Sequence, residues 1–322
     1  MRKILLGTTA LAAAATLSAN VALADVAISG YYEWRYTSTS SNITANDGTT
    51  FTNDSEITFN FSNKTDSGLT IGLVTELQAD DGDTDIDESS LSISGGFGKI
   101  VLGNNDFVGD NYGVSSTDLP AEEIYQTGVD SLAILGADIT DAAGGDNNKV
   151  AYHLPAMGGL TAGVSFADSG ATGASDSTAI GARYGMSAGG AAVTLGFATV
   201  TTEDATQDID SQVVGVKVAS GNITAALSQA TYEASGADEE STGAAVSFKV
   251  SDAMTITVHT AKSEDSAEKD EHTNTGAELV YTVAPGLSAY VNIEDFDYKV
   301  GSSSGTTADS GTVSKLTIKA TF

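Results

Sequence analysis

The chain has 322 residues, with 35 Gly, 3 Pro and no Cys. That length allows two ordinary domains or one large β-barrel, and the missing cysteine excludes disulfides and thiolate metal sites. A formal charge of −29, from 43 acidic and 14 basic residues, argues against a nucleic-acid partner, because so acidic a chain repels phosphate.

The same charge allows divalent cations, cationic solutes or a solvated acidic exterior. Mean hydropathy is near zero, so the chain is not a bundle of membrane-spanning helices. A membrane barrel is compatible with that value, since only every other strand residue meets lipid.

Residues 1–24 read as a secretory signal. Arg2 and Lys3 give the charged start, Ile4 to Leu17 the apolar middle, and Ala22, Leu23 and Ala24 the small-x-small cleavage pattern. The mature chain is then expected to run from Asp25 to Phe322, as residues 25–322.

From there, short alternating segments follow one another. Val26, Ile28, Tyr32, Trp34 and Tyr36 share one phase, and Ser29, Tyr31, Glu33 and Arg35 the other. Period two is what a strand with one oily and one wet face requires. Ile57, Phe59 and Phe61 repeat it, then Leu69 to Leu77, Leu91 with Ile93, and Ile100 with Leu102. Beyond residue 148 the pattern resumes and continues to Leu316, Ile318, Ala320 and Phe322. Roughly sixteen segments are counted, an even number inside the range of bacterial barrels.

Short turns alternate with longer acidic or Ser/Thr-rich connections, the polarity of an outer-membrane barrel. No proline falls inside a central strand: Pro155 and Pro285 lie in turns and Pro120 in the long irregular stretch. Around Asp295 to Tyr298 the phase slips, which predicts either a β-bulge or a strand already above the membrane. Period two alone also suits a soluble β-sandwich or a solenoid.

One stretch breaks the rhythm. After Phe97 the chain runs to Asn148 with only a brief strand, and residues 104–147 show no steady alternation. A long irregular insertion among short turns is often functional. It is expected to narrow the space that the remaining strands enclose.

Three stretches point to a family. Gly96-Phe97-Gly98-Lys99-Ile100-Val101-Leu102-Gly103 resembles the glycine–phenylalanine–glycine turn and strand that precede the constriction loop of Gram-negative general diffusion porins. Lys315 to Phe322 resembles the terminal strand of that family, which ends on an aromatic residue. Val26 to Tyr32 is similar to first strands of alphaproteobacterial porins. The resemblance implies an all-β, sixteen-stranded antiparallel transmembrane barrel in the outer membrane, with its third external loop folded into the lumen. It further implies a homotrimer, passive diffusion of small hydrophilic solutes and ions, contact with outer-membrane lipid and lipopolysaccharide, and recognition of Phe322 by the outer-membrane assembly machinery. The loop lacks the family's proline–glutamate–phenylalanine box and carries Leu119-Pro120-Ala121-Glu122-Glu123 instead.

A pore needs a width limit and a field across it. The acidic side of that field is expected at Asp118, Glu122 and Glu123, with Asp106, Asp110 and Asp130 as further loop carboxylates. Loop carboxylates facing solvent are the plain alternative. Arg35, Lys99, Lys149, Arg183, Lys217, Lys249, Lys315, Lys319, His153 and His259 all fall on the phase opposite the oily residues. A strand cation on the lipid face costs about 2–4 kcal/mol at the midplane, which assigns these to the lumen. Arg35, Arg183, Lys217 and Lys249 are the candidates for a basic wall, against a reading as ordinary lumen lining.

Asp81, Asp83, Asp85 and Asp87 place carboxylates at alternate positions, as Ca²⁺ ligation favours. The run has neither the full EF-hand pattern nor flanking helices, and a solvated acidic loop is the competing reading. Tyr32, Trp34, Tyr36, Tyr152, Tyr184, Tyr281 and Phe322 suit aromatic girdles at the membrane interfaces.

Enzyme chemistry has little support. Gly185-Met186-Ser187-Ala188-Gly189 matches G-x-S-x-G but falls in a strand-to-strand turn, where a nucleophile elbow needs a strand-to-helix turn. His153, His259 and His272 have no metal-ligand spacing. Two rival functions stand beside the general porin: a solute-specific channel on the same barrel, and a β-rich surface protein that binds or builds.

Overall fold

The computed structural model describes residues 25–80, 83–121, 148–168, 176–203, 208–234, 237–266, 269–302 and 307–322. Residues 1–24, expected to be a secretory signal, the loop acids Glu122, Glu123 and Asp130, and Asp81 lie outside them, as do the side chains of Asp83 and Asp85.

Sixteen strands follow in order: β1 Asp25–Ser41, β2 Gly48–Lys64, β3 Thr70–Asp80, β4 Asp83–Gly95, β5 Gly98–Asn104, β6 Asn148–His153, β7 Leu160–Ala167 and β8 Asp176–Ala188. The second half is β9 Ala191–Glu203, β10 Asp208–Ser220, β11 Ile223–Ala234, β12 Ala237–Ser251, β13 Met254–Asp265, β14 Glu271–Ala284, β15 Leu287–Lys299 and β16 Asp309–Thr321. Each pairs with its sequence neighbours, and β1 pairs with β16, so the sheet is a closed barrel. Closure leaves no edge and satisfies every ladder within the wall, which a lipid surround demands.

Closure is completed at the two ends of the chain. Tyr31 pairs with Thr321 through to Ser41 with Gly311. Gly30 N–H donates to Phe322 O at 3.2 Å, and Phe322 N–H donates back to Gly30 O at 3.1 Å. A Cβ on Gly30 would lie 2.2 Å from Glu56 O and 2.9 Å from the Phe322 ring. Only glycine lets the terminal ring lie against the first strand there.

The side-chain pattern is inside out. Leu227, Ile293 and Val214 are more than half exposed, whereas Glu278, Asn292 and Glu294 are at most 2% exposed. Apolar exposure on this scale marks a surface that meets something other than water. Among the described residues no helix is long and apolar enough to cross a membrane.

Two expectations need correcting. The ladder through Asp295, Phe296, Asp297 and Tyr298 runs without a register shift on either side. There is no bulge: Phe296 and Tyr298 keep the wet phase, face inward and are buried, and Tyr298 Oη donates to Asp270 Oδ2 at 2.9 Å. An inward aromatic is stable because it finds a packed, hydrogen-bonded site. Several connections read as polar loops are also strand. Gln229 to Ala234 pairs residue for residue with Ala237 to Thr242. Outside the oily belt the ladder needs only paired backbone, so hairpins extend past the alternating apolar segment.

Candidate functional site

The long irregular stretch occupies residues 105–147, between β5 and β6, which at 7 and 6 residues are short strands. Its described part, residues 105–121, lies along the inward face of the wall. Phe107 and Val108 are buried, and Val108 N–H donates to Ser165 Oγ on β7 at 3.1 Å. Helix α1 (Val108–Tyr112) follows. Tyr112 Oη and His153 Nδ1 are hydrogen-bonded at 2.8 Å, and the Arg183 guanidinium donates to Gly113 O. Val114 is fully buried. Ser116 N–H donates to Ser228 Oγ on β11 at 2.8 Å, and the two hydroxyls meet at 3.2 Å. Ala121 N–H reaches Glu278 Oε1 on β14 at 2.8 Å.

The wall beneath this path explains why the segment settles there. Ala151, Ala179, Ala198, Val200, Val213 and Ala230 form one buried cluster with Phe107, Val108 and Tyr112. These are inward positions where a water-filled lumen would carry polar side chains. Burying Phe107 and Val108 against that surface contributes about 1.5–3 kcal/mol each. Small apolar residues on the wet phase of β6 to β11 were the sequence signal for this seat, and parity alone did not draw it out.

Beyond Val114 the chain makes a single 3-10 turn, Ser116–Asp118, closed by a capping box. Thr117 N–H donates to Ser115 Oγ at 3.1 Å, and Ser115 N–H to Asp118 Oδ2 at 3.3 Å. The turn presents the exposed Asp118 to a cavity of about 360 Å³. Lys217 of β10 lines the same cavity, together with Leu119, Thr194 and Ser247. One expected loop acid and one expected wall cation therefore border a single water-accessible space.

The remaining candidates are placed differently. Arg183 and Lys149 hold the loop itself, donating to Gly113 O and Asn105 O. Arg35 on β1 is ion-paired with Glu33 and, at 3.3 Å, with Asp54. Lys249 pairs at 2.8 Å with Asp252, fully exposed in the next short turn, so the structure keeps it at the turn end of the barrel. Asp106 and Asp110 are exposed on the loop.

The family described as Gram-negative porin matches residues 7–301. The chain belongs to that family. OmpT of Vibrio cholerae, in its trimer form, is a similar solved structure, with a TM-score of 0.71 at 14% identity over 93% of this chain and 99% of that one. The anion-selective porin from Comamonas acidovorans gives 0.67 at 17% identity, covering 93% and 100%. A mutant of the Rh. blastica porin gives 0.67 at 18% identity, covering 92% and 100%. Comparison with curated protein sequences returned no match. The chain is thus an outer-membrane diffusion channel and not an enzyme. Its G-x-S-x-G residues sit in the β8–β9 hairpin, with no helix following.

This porin also carries an inward acidic face that the sequence reading left unassigned. Glu33, 2% exposed, is held by Arg35 and Lys319. Lys319 Nζ lies 4.3 Å above the Tyr31 ring, and Tyr31 Oη donates to Asp54 Oδ2 at 3.2 Å. Glu56, Glu76 and Asp87, from β2, β3 and β4, bring carboxylate oxygens within 4.8 Å of one another. Of the four aspartates expected to ligate calcium, Asp87 alone has a described side chain, and its neighbours are these glutamates from other strands. Glu56 and Glu76 lie on the wet phase of β2 and β3, whereas Asp87 shares parity with the outward Leu91 and turns inward only through the register shift opposite Thr75 to Leu77.

Proposed function

We propose that this porin is a general passive channel for small hydrophilic solutes and ions, selective where Asp118 on the loop faces Lys217 on the wall. The observation that carries the reading is their shared cavity. Opposite fixed charges bordering one narrow aqueous space set up a transverse field, and conduction then needs no covalent step, only width and charge. The distant acidic surface matters less, because salt screens it within about 8–10 Å. The outward apolar belt is the surface for lipid and lipopolysaccharide, and Phe322, 69% exposed, presents the terminal ring to the assembly machinery. Assembly as a homotrimer is part of the proposal, supported by the trimer form of OmpT.

The test is reversal potential under a salt gradient in planar bilayers. Lys217→Glu is expected to shift preference toward cations. An unchanged potential in that variant removes the pair from the filter. Saturable block of the current by one solute would replace the general channel with a specific one.

A further inference from the structure

The wall under the loop contains four glycines in a row. Gly163 on β7 stands opposite Gly181 on β8, and Gly196 on β9 stands opposite Gly215 on β10. Gly215 in turn faces Ser228 on β11, the residue whose hydroxyl accepts from Ser116. None of the four has the left-handed φ that would by itself call for glycine. Room is the reason instead. A Cβ at Gly163 would lie 2.8 Å from Tyr112 Cε2, and one at Gly181 2.7 Å from Tyr112 Cβ. At Gly196 it would lie 2.5 Å from Val114 Cγ2 and 2.7 Å from Val114 N, and at Gly215 1.9 Å from Val114 O. The last two contacts involve loop backbone, which no rotamer change relieves.

Glycine inside a strand is unfavourable relative to alanine, because it loses more backbone freedom on folding. Four of them on neighbouring strands mark a line where another backbone approaches closely. Barrel curvature alone would not confine them to positions under Tyr112 and Val114. Gly185 shows the contrast: it shares β8 with Gly181, and a Cβ there meets nothing nearer than 4.0 Å.

We propose that Gly163, Gly181, Gly196 and Gly215 form a fixed seat for residues 108–116. The loop is then a rigid inner layer of the wall, and these four positions set the width of the passage. The conductance side of this proposal rests on the channel reading above; the seating itself does not.

Two measurements separate the two. Ser116→Cys with Ser228→Cys, in a chain that has no other cysteine, places two thiols where hydroxyls now sit 3.2 Å apart. Diamide is expected to join them in folded, heat-modifiable protein, with step conductance unchanged. Gly196→Ala or Gly215→Ala in that background is expected to lower both the crosslink yield and the step conductance, because the added methyl moves the segment off the wall toward the axis. Gly185→Ala is expected to leave both unchanged. Where the two alanine variants fail to fold, Gly181→Ala carries the same comparison, since its three nearest contacts all belong to the loop, at Tyr112 and Val108. Wild-type crosslinking and conductance in the alanine variants, or no crosslink in the parent pair, would overturn the seat. Efficient crosslinking in a protein that never conducts would count against the channel reading and leave the seat standing.

Discussion

Lys217 and Asp118 differ from the neighbouring charges in what surrounds them. Arg35 and Lys249 are matched by carboxylates, and Arg183 and Lys149 hold loop carbonyls. A cation already paired adds little to the field felt by a passing ion. Asp118→Asn is therefore expected to move the reversal potential toward anions, opposite to Lys217→Glu, and the double change Asp118→Asn with Lys217→Gln to leave a wider, less selective pore. Single-channel recording under a salt gradient reads all three. Arg183→Ala has a different outcome. It removes a hydrogen bond from a charged donor to Gly113 O, an interaction of about 1.5–3 kcal/mol. Faster amide exchange over residues 113–116, with the barrel itself as stable as before, is the expected result. Parity in the sequence was enough to face Lys217 and Arg183 inward, but which partner each one meets depends on a loop that touches the wall from β6 to β14.

At the scale of the element, the hairpin ladders extend well past the oily belt, and their ends are held by ion pairs. Lys262 lies 2.7 Å from Glu271, and Lys299 lies 2.7 Å from the same carboxylate, tying the loop ends of β13, β14 and β15. Hydrogen bonds from Lys262 and then Lys299 hold the Glu271 carboxyl below its ordinary range. A carboxylate lowered in the folded state stabilises it above the unfolded pKa, and the contribution disappears as pH falls through the lowered value. The pairs are partly exposed, so the effect is local and small. Acidification through the carboxylate range is expected to lower amide protection factors, corrected for intrinsic exchange, at these strand ends, and Glu271→Gln to remove that loss.

The closing seam gives a larger effect. Gly30→Ala would drive a methyl into Glu56 O and the Phe322 ring, whereas Gly48→Ala meets nothing within 4 Å. Electrophoresis of unheated and heated samples should show Gly30→Ala unfolding at a lower temperature and Gly48→Ala unchanged. The sequence marked Phe322 as a terminal aromatic by resemblance. It did not show that a glycine opposite makes space for the ring.

For the whole molecule, the determining contrast is that apolar side chains face out and polar ones are buried. That arrangement is stable in a bilayer and unstable in water. The charge of −29 belongs to the entire chain, and whatever part of it lies more than about 8–10 Å from the passage is screened from ions there. Selectivity from distant acids is expected to fade as salt rises, while selectivity from Asp118 and Lys217 persists, since ions cross the cavity they line. Reversal potentials measured at several salt concentrations with a fixed gradient ratio separate the two.

Period-two alternation, the sparse proline, the short turns and the position of the irregular stretch by themselves determined about sixteen strands and one long insertion, and the resemblance of the end motifs to porins made these a barrel. Those features are local, and a strand's phase is set by its own residues. Only the tertiary structure decided that Phe296 and Tyr298 are buried inward, that Lys249 pairs with Asp252 at the turn end of β12, that Glu56, Glu76 and Asp87 converge, and that four glycines lie beneath Tyr112 and Val114. Each of these depends on register between strands far apart in sequence, and register is fixed by closure of the whole ring.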